Sequence, residues 1–221
     1  NYLTIPDYAG ARPFINTAIL MVVVPTCAMF LSVLVSWVVI RSQVSFRGIL
    51  DTAAFLPHAF PSILLAVGLG YLGLAYSGIF PFYGTIMIII IAHTIAWIAY
   101  GTRTTNSVMI QVDRELEEAG KVAGISTPTV LTRIVLPLVA AGVFNSGIWI
   151  SMLSYREVTM ALTLGSRQNT VISTVVWQFW GSGWVPEVSA LGVILILFAL
   201  LAVGALRIGF ARVGEVGSSG A

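Results

Sequence analysis

Charged residues in this chain are gathered into a few short stretches, and the apolar runs between them are long enough to cross a bilayer. A membrane-crossing helix needs about 20 apolar residues. The first run extends from Phe14 to Ile40 and is ended by Arg41 and Arg47. From Thr52 to Thr102 there is no Asp, Glu, Lys or Arg, which is too long for one helix. The turn-rich S-G-I-F-P-F-Y-G segment, Ser77 to Gly84, divides it into two. Further runs cover Leu136 to Tyr155 and Val188 to Leu206. The pattern predicts an all-α integral membrane protein with about five spans, near residues 14–40, 52–76, 84–102, 136–155 and 188–206. Residues 1–212 then form a single transmembrane domain with a polar loop at 103–135, followed by a flexible tail at 213–221. Val171 to Trp180 is apolar and aromatic but too short to cross, so it lies in the interface or dips into the outer mouth of a pore.

Composition agrees with this class. The chain is 57% hydrophobic and 9% charged, with a mean hydropathy of +0.95. Soluble domains carry about 25% charged residues, so this chain cannot clothe itself in a polar surface. A net charge of +2 is too small to suggest nucleic acid as a partner, and the composition makes membrane lipid the surroundings. The distribution of the basic residues is more informative than their sum. With Asn1 placed outside, Arg41, Arg47, Arg103, Arg114, Lys121, Arg133, Arg207 and Arg212 fall on the inner side, against Arg12, Arg156 and Arg167 on the outer. The positive-inside rule then makes the amino end periplasmic and the carboxyl end cytoplasmic. Tyr8, Tyr76, Phe80, Phe82, Tyr83 and Trp184 fall near the outer boundary, as an aromatic belt does. The chain opens on Asn1 with no signal-peptide pattern, which is the expectation for part of a longer polypeptide.

The polar loop has its own internal order. Asp113 is placed to cap a helix, with Glu115, Glu117 and Glu118 near the positive end of its dipole. Leu116, Ala119, Gly120 and Ala123 repeat at helical spacing as an apolar strip. Gly124 stands where a left-handed residue ends the helix, and Ser126 or Thr127 followed by Pro128 starts a second. Two short helices around a sharp turn are predicted. Helices of about ten residues are marginal in water, so this pair must pack on something.

Glu118, Ala119, Gly124, Ile134, Leu136 and Pro137 match the signature E-A-A, three residues, G, nine residues, I-x-L-P. In this the loop resembles the cytoplasmic coupling loop of bacterial ABC importer permeases. The resemblance covers about Asn16 to Arg207. L-D-T-A-A-F-L-P-H-A-F-P-S-I (Leu50 to Ile63) is similar to the start of the second core helix in that family. S-Y-R-E-V-T-M-A-L-T-L (Ser154 to Leu164) is similar to a stretch after the fourth span in its ferric-iron and polyamine branch. The one departure is Gly120, where the family has a second alanine. The resemblance implies a five-helix core of the methionine-importer type in the inner membrane. It also implies a second permease half or copy, two ATP-binding subunits docked on the coupling loops, and a periplasmic substrate-binding protein. ATP and Mg would sit on the partner ATPase, with no cofactor in this chain. Ferric iron is the implied substrate, with polyamine, thiamine or phosphonate as alternatives, and the chain is similar to the second half of a tandem permease.

Other polar residues leave alternatives open. His93, in the third span, and His58, between Pro57 and Pro61, are either neutral histidines bonded to a neighbouring helix or functional groups. Pro57, Pro61, Gly68, Gly70 and Gly73 are expected to bend the second span and admit a close neighbour. Asn145, Ser146 and Ser151 are interhelical glue or pore lining. Arg156 and Glu157 are either helix-end charges or an outer gate or binding-protein contact. Cys27 is expected to be a packing residue. No His, Cys, Asp and Glu cluster has metal-ligand spacing, and no G-x-x-x-x-G-K-[ST] loop is present to hold ATP phosphates. An ion-coupled secondary transporter needs carboxylates within its spans, and every Asp and Glu here lies outside or at the edge of one. A membrane enzyme fares worse, because no nucleophile–base set falls within the spans.

Overall fold

A computed structural model describes the backbone of residues 10–218 and their side chains except those of 121, 202 and 205–218. Ten α-helices are named here: α1 (Arg12–Arg41), α2 (Arg47–Phe55), α3 (Ser62–Ala75), α4 (Ile86–Ile110), α5 (Arg114–Val122), α6 (Thr127–Val130), α7 (Leu136–Arg156), α8 (Thr159–Thr163), α9 (Ile172–Gly181) and α10 (Val185–Ser218). A 3-10 turn, Leu56–Ala59, follows α2, and a widened π turn, Leu131–Val135, joins α6 to α7. Among the described residues no strand occurs. Three helical stretches are long and apolar enough to cross a membrane: Arg12–Arg41, Ile86–Ile110 and Thr127–Arg156. A bent pair of helices adds a fourth if it is counted as one span.

That bent pair is the second span, which its prolines and glycines are expected to bend. Arg47–Ala59 and Ser62–Ala75 meet at 105°. Phe60, directly before Pro61, is extended at φ −103°, ψ 146°, because the proline ring disfavours a helical residue ahead of it. The glycines of α3 then serve close packing. A Cβ at Gly70 would lie 3.4 Å from Leu164 Cδ2, and one at Gly73 would lie 2.9 Å from Ile88 Cδ1. Arg103 pins the inner arm, stacking 4.9 Å from the Phe55 ring centroid and reaching Asp51 at 3.2 Å.

The third span also runs further than expected, to Ile110 rather than 102. Thr104 and Ser107 bond back to the Tyr100 and Arg103 carbonyls, so rising polarity does not stop the helix. The fifth expected span, 188–206, falls within α10, whose described apolar stretch is Val185–Leu201. Residues 213–218, expected to begin a flexible tail, belong to the same helix. Tyr8 and the last three residues lie outside the described residues.

The core forms where α1, α4 and α7 meet, around Leu20, Val24, Ile89, Ala92 and Ile150. Small residues let these helices approach. A Cβ at Gly101 of α4 would run into Ser32 Oγ of α1, and one at Gly142 of α7 would meet Val108. Pro25 interrupts α1 and is buried. Its missing N–H leaves the Met21 carbonyl without its helical partner, and Ser151 Oγ of α7 donates to that carbonyl at 2.7 Å. At the outer end, the loop after α8 is stitched to the other helices. Buried Asn169 donates through Nδ2 to the Thr85 and Leu164 carbonyls, and Asn16 of α1 donates to those of Gln168 and Thr170.

Candidate functional site

The polar loop folds as the two short helices its sequence predicts. α5 begins at Arg114, the residue after Asp113, and ends in a Schellman arrangement. There Gly124 has φ +78°, and the Ile125 N–H donates to the Gly120 carbonyl at 3.0 Å. α6 follows Ser126, with Pro128 in its first turn. The π turn then delivers the chain to Pro137, with the Leu136 N–H bonded five residues back to Leu131. A regular turn would press the Pro137 ring against a carbonyl four residues earlier, and the widened turn ahead of it relieves this.

The faces of α5 sort differently from the predicted strip. Gly120 and Glu117 point inward and are buried, whereas Leu116, Glu118, Ala119 and Ala123 are exposed. Tertiary packing overrides local polarity here. At Gly120 an added Cβ would stand 3.1 Å from Val130 Cγ2 and 3.2 Å from Ile134 Cδ1, so glycine lets the two short helices close on each other. Val130, Val135, Met109 and Val139 form a small core beneath the pair, with Ile134 and Leu136 half-buried against it. Pro137 is exposed.

Sequence reasoning missed the partner of Glu117. Its Oε1 lies 2.8 Å from Nε of Arg41, the last residue of α1, and both side chains are buried. The Nη2 of the same guanidinium donates to the Met109 and Val112 carbonyls, at 2.7 and 2.5 Å. In return Arg114 Nη2 donates to the Ile40 carbonyl at 2.9 Å. Helix ends leave carbonyls short of partners, and these two arginines donate to those at the ends of α1 and α4 and in the connection to α5. No spacing rule joins residue 41 to residue 117. A lone arginine ending an apolar run, opposite an acidic loop, was the only signal.

The outer face of the pair is bare. Leu116, Val122 and Ile125 are exposed, Val122 at 90%, and Glu115 and Glu118 stand among them. Beneath it a cavity of about 390 Å³ opens between Val108, Asp113, Leu116, Leu138 and Gly142.

The remaining singled-out residues lie elsewhere. Arg156 is exposed at the end of α7, and Glu157 Oε1 accepts from the Met160 N–H at 3.0 Å, capping α8. The structure does not pair the two with each other. His93 is fully buried, with Nδ1 2.7 Å from Ser154 Oγ of α7. His58 stands edge-on to Tyr100 at 4.9 Å between ring centroids. Ser146 bonds back within α7 to the Gly142 carbonyl, and Asn145 is exposed. Cys27 is half-buried. Among the described residues no group of three His, Cys, Asp or Glu could hold a metal ion.

Residues 13–214 match the family model described as "Binding-protein-dependent transport system inner membrane component", and the chain belongs to that family. It is a family of multi-pass inner-membrane transport permeases and not of enzymes. A ferric-iron transport system permease protein, FbpB 2, from Haemophilus influenzae is 23% identical over 171 residues, covering 77% of this chain and 33% of that protein. The spermidine/putrescine permease PotC of the same species is 26% identical, covering 66% of this chain and 55% of that protein. The chain thus spans a third to about half the length of these curated relatives. In fold it is similar to the inward-facing MetNI methionine ABC transporter, with a TM-score of 0.72 at 14% identity, covering 93% of this chain and 94% of that one. A bacterial alginate ABC transporter gives 0.73 at 17%, covering 92% and 79%.

Proposed function

We propose that this chain is a permease unit of an ATP-driven importer, and that α5 and α6 are the surface on which its ATPase docks. The exposed apolar face of α5 carries this reading. Leu116, Val122 and Ile125 gain nothing by facing water, and apolar side chains exposed together mark a surface that a partner covers. Glu118, exposed one turn before Val122, offers a carboxylate to a basic group on the ATPase, and the exposed Ala119 next to it in sequence leaves room for close approach. Gly120, Gly124, Ile134, Leu136 and Pro137 shape the pair rather than touch the partner. They set its closure, its corner and its union with α7.

The polar loop and the basic residues face the cytoplasm by the positive-inside rule. ATP and Mg are held by the docked subunits. ATP binding draws two such subunits together, the coupling helices move with them, and the helix bundles rock from inward-facing to outward-facing. A periplasmic binding protein hands substrate to the outward-facing state, and hydrolysis resets it. The exposed apolar faces of α3 and α10 are covered by lipid and by a second permease half.

Ferric iron is the proposed cargo, supported by the likeness to the FbpB relative, with polyamine as the second reading from the likeness to PotC. Uptake assays in proteoliposomes containing the intact parent protein, its ATPase and its binding protein decide between them. Uptake dependent on ATP with ferric iron and not spermidine supports the first reading, and the reverse result replaces it.

A further inference from the structure

We propose that Arg41 and Glu117 form a latch that joins the docking helix to α1, so that ATPase motion reaches α1 directly as well as through α4 and α7. The inference rests on the reading of α5 as the docking surface.

The chain itself attaches α5 to α4, through residues 111–113, and to α7, through α6 and the π turn. Side chains attach it to α1: Arg114 Nη2 donates to the Ile40 carbonyl at 2.9 Å, and the buried Glu117–Arg41 pair is 2.8 Å long, with side-chain exposures of 6% and 4%. Arg41 terminates α1, and its Nη2 holds the last carbonyls of α4 and the following connection, at Met109 and Val112. A single guanidinium therefore gathers three helices at one point. Its planar fork suits it to this, since Nη2 donates to the carbonyls while Nε lies 2.8 Å from the carboxylate oxygen.

Net stability is a poor reason for such a pair. Desolvating two charges roughly cancels their attraction, and apolar residues of similar volume commonly do as well. A buried pair does fix one register, because any slip of α5 against α1 strands both charges. The outer face of α5 is bare and its inner face holds this pair beside the Gly120 contact, so a load applied outside is carried through these two points. The covalent route to α7 passes through the widened turn at Leu131–Val135, a place where a helix yields readily. With the latch intact, α1, α4 and α5 move together. Without it, α1 is held to α5 by the exposed Arg114 contact alone.

The test uses the intact parent protein in complex with its ATPase in lipid nanodiscs. Spin labels replace Val44, just past α1, and Leu138, at the start of α7, both exposed positions. Their separation is measured by pulsed electron resonance with and without ATP and vanadate. In the otherwise native protein the separation should stay constant, as one body moves. In Glu117→Gln, which keeps shape and removes charge, it should change by at least about 2 Å, the scale of helix shifts in switching proteins, while the ATPase still co-purifies. Glu117→Asp should behave as the native residue does. An unchanged separation in Glu117→Gln overturns the latch. So does loss of folded, ATPase-bound protein in both variants, which would make the pair a brace for folding only. If the native protein does not co-purify with its ATPase, the docking reading itself fails and the latch falls with it.

Discussion

Val122 separates binding from folding more cleanly than any other residue of the docking helix. It is 90% exposed at the last position of α5 and contributes almost nothing to the fold. Changes at such a site usually alter stability by no more than about 0.5 kcal/mol, and an aspartate at a helix C-terminus adds about 0.5 kcal/mol of unfavourable dipole energy. Docking changes the balance. Covering a valine side chain is worth about 1.5 kcal/mol. Val122→Asp forfeits that and buries a carboxylate beside Glu118 with no cation supplied for it, costing a further ~2 kcal/mol or more. The sum, about 3.5 kcal/mol, corresponds to a Kd weaker by roughly 300-fold. Val122→Ala forfeits part of the apolar contribution only and should weaken binding about fivefold. The assay is titration of the detergent-solubilised parent protein with its ATPase, alongside thermal unfolding of each variant. An unaltered Kd for Val122→Asp with an unaltered melting temperature would refute the assignment of this face to the partner.

Two further predictions concern the helix core. Ser151→Ala leaves the Met21 carbonyl unpaired beside Pro25 and should cost about 1–2 kcal/mol, read as a lowered melting temperature in detergent. Adding Pro25→Ala supplies a backbone N–H to the same carbonyl and should recover part of the loss, so additive effects of the two changes would contradict the account. Gly101→Val drives a branched side chain into Ser32 across the α1–α4 contact. It should lower stability by about 3 kcal/mol, at the upper end of the usual range for a core substitution, and a folded yield equal to that of the native protein would argue against close α1–α4 packing.

What the sequence disclosed and what it withheld divide along the range of the interactions. Gly124 was legible because a helix ending before a second helix start needs a residue with positive φ, a local requirement. Pro57 and Pro61 announced a break, but the size of the bend depends on how α3 meets Leu164 and Ile88. The end of α4 was misplaced by hydropathy, since Thr104 and Ser107 carry their hydroxyls into a helix by bonding back to it. The strip on α5 was half right. Its period was local, but burial of Glu117 in place of Leu116 depends on Arg41, which lies on another helix. Ser151 reads from sequence as either glue or pore lining, because its acceptor is a carbonyl freed by a proline in α1, 130 residues away.

Glu118 bears most directly on the central claim, because it is exposed on the docking face and supports nothing in the described fold. The intact parent protein is immobilised in detergent and offered its candidate ATPase, native beside Glu118→Arg. Retention by the native protein and at least about tenfold weaker retention by a folded Glu118→Arg are the predicted results, as expected for reversing a charge that meets a basic partner. Equal retention by both would contradict the account and move the docking surface off α5.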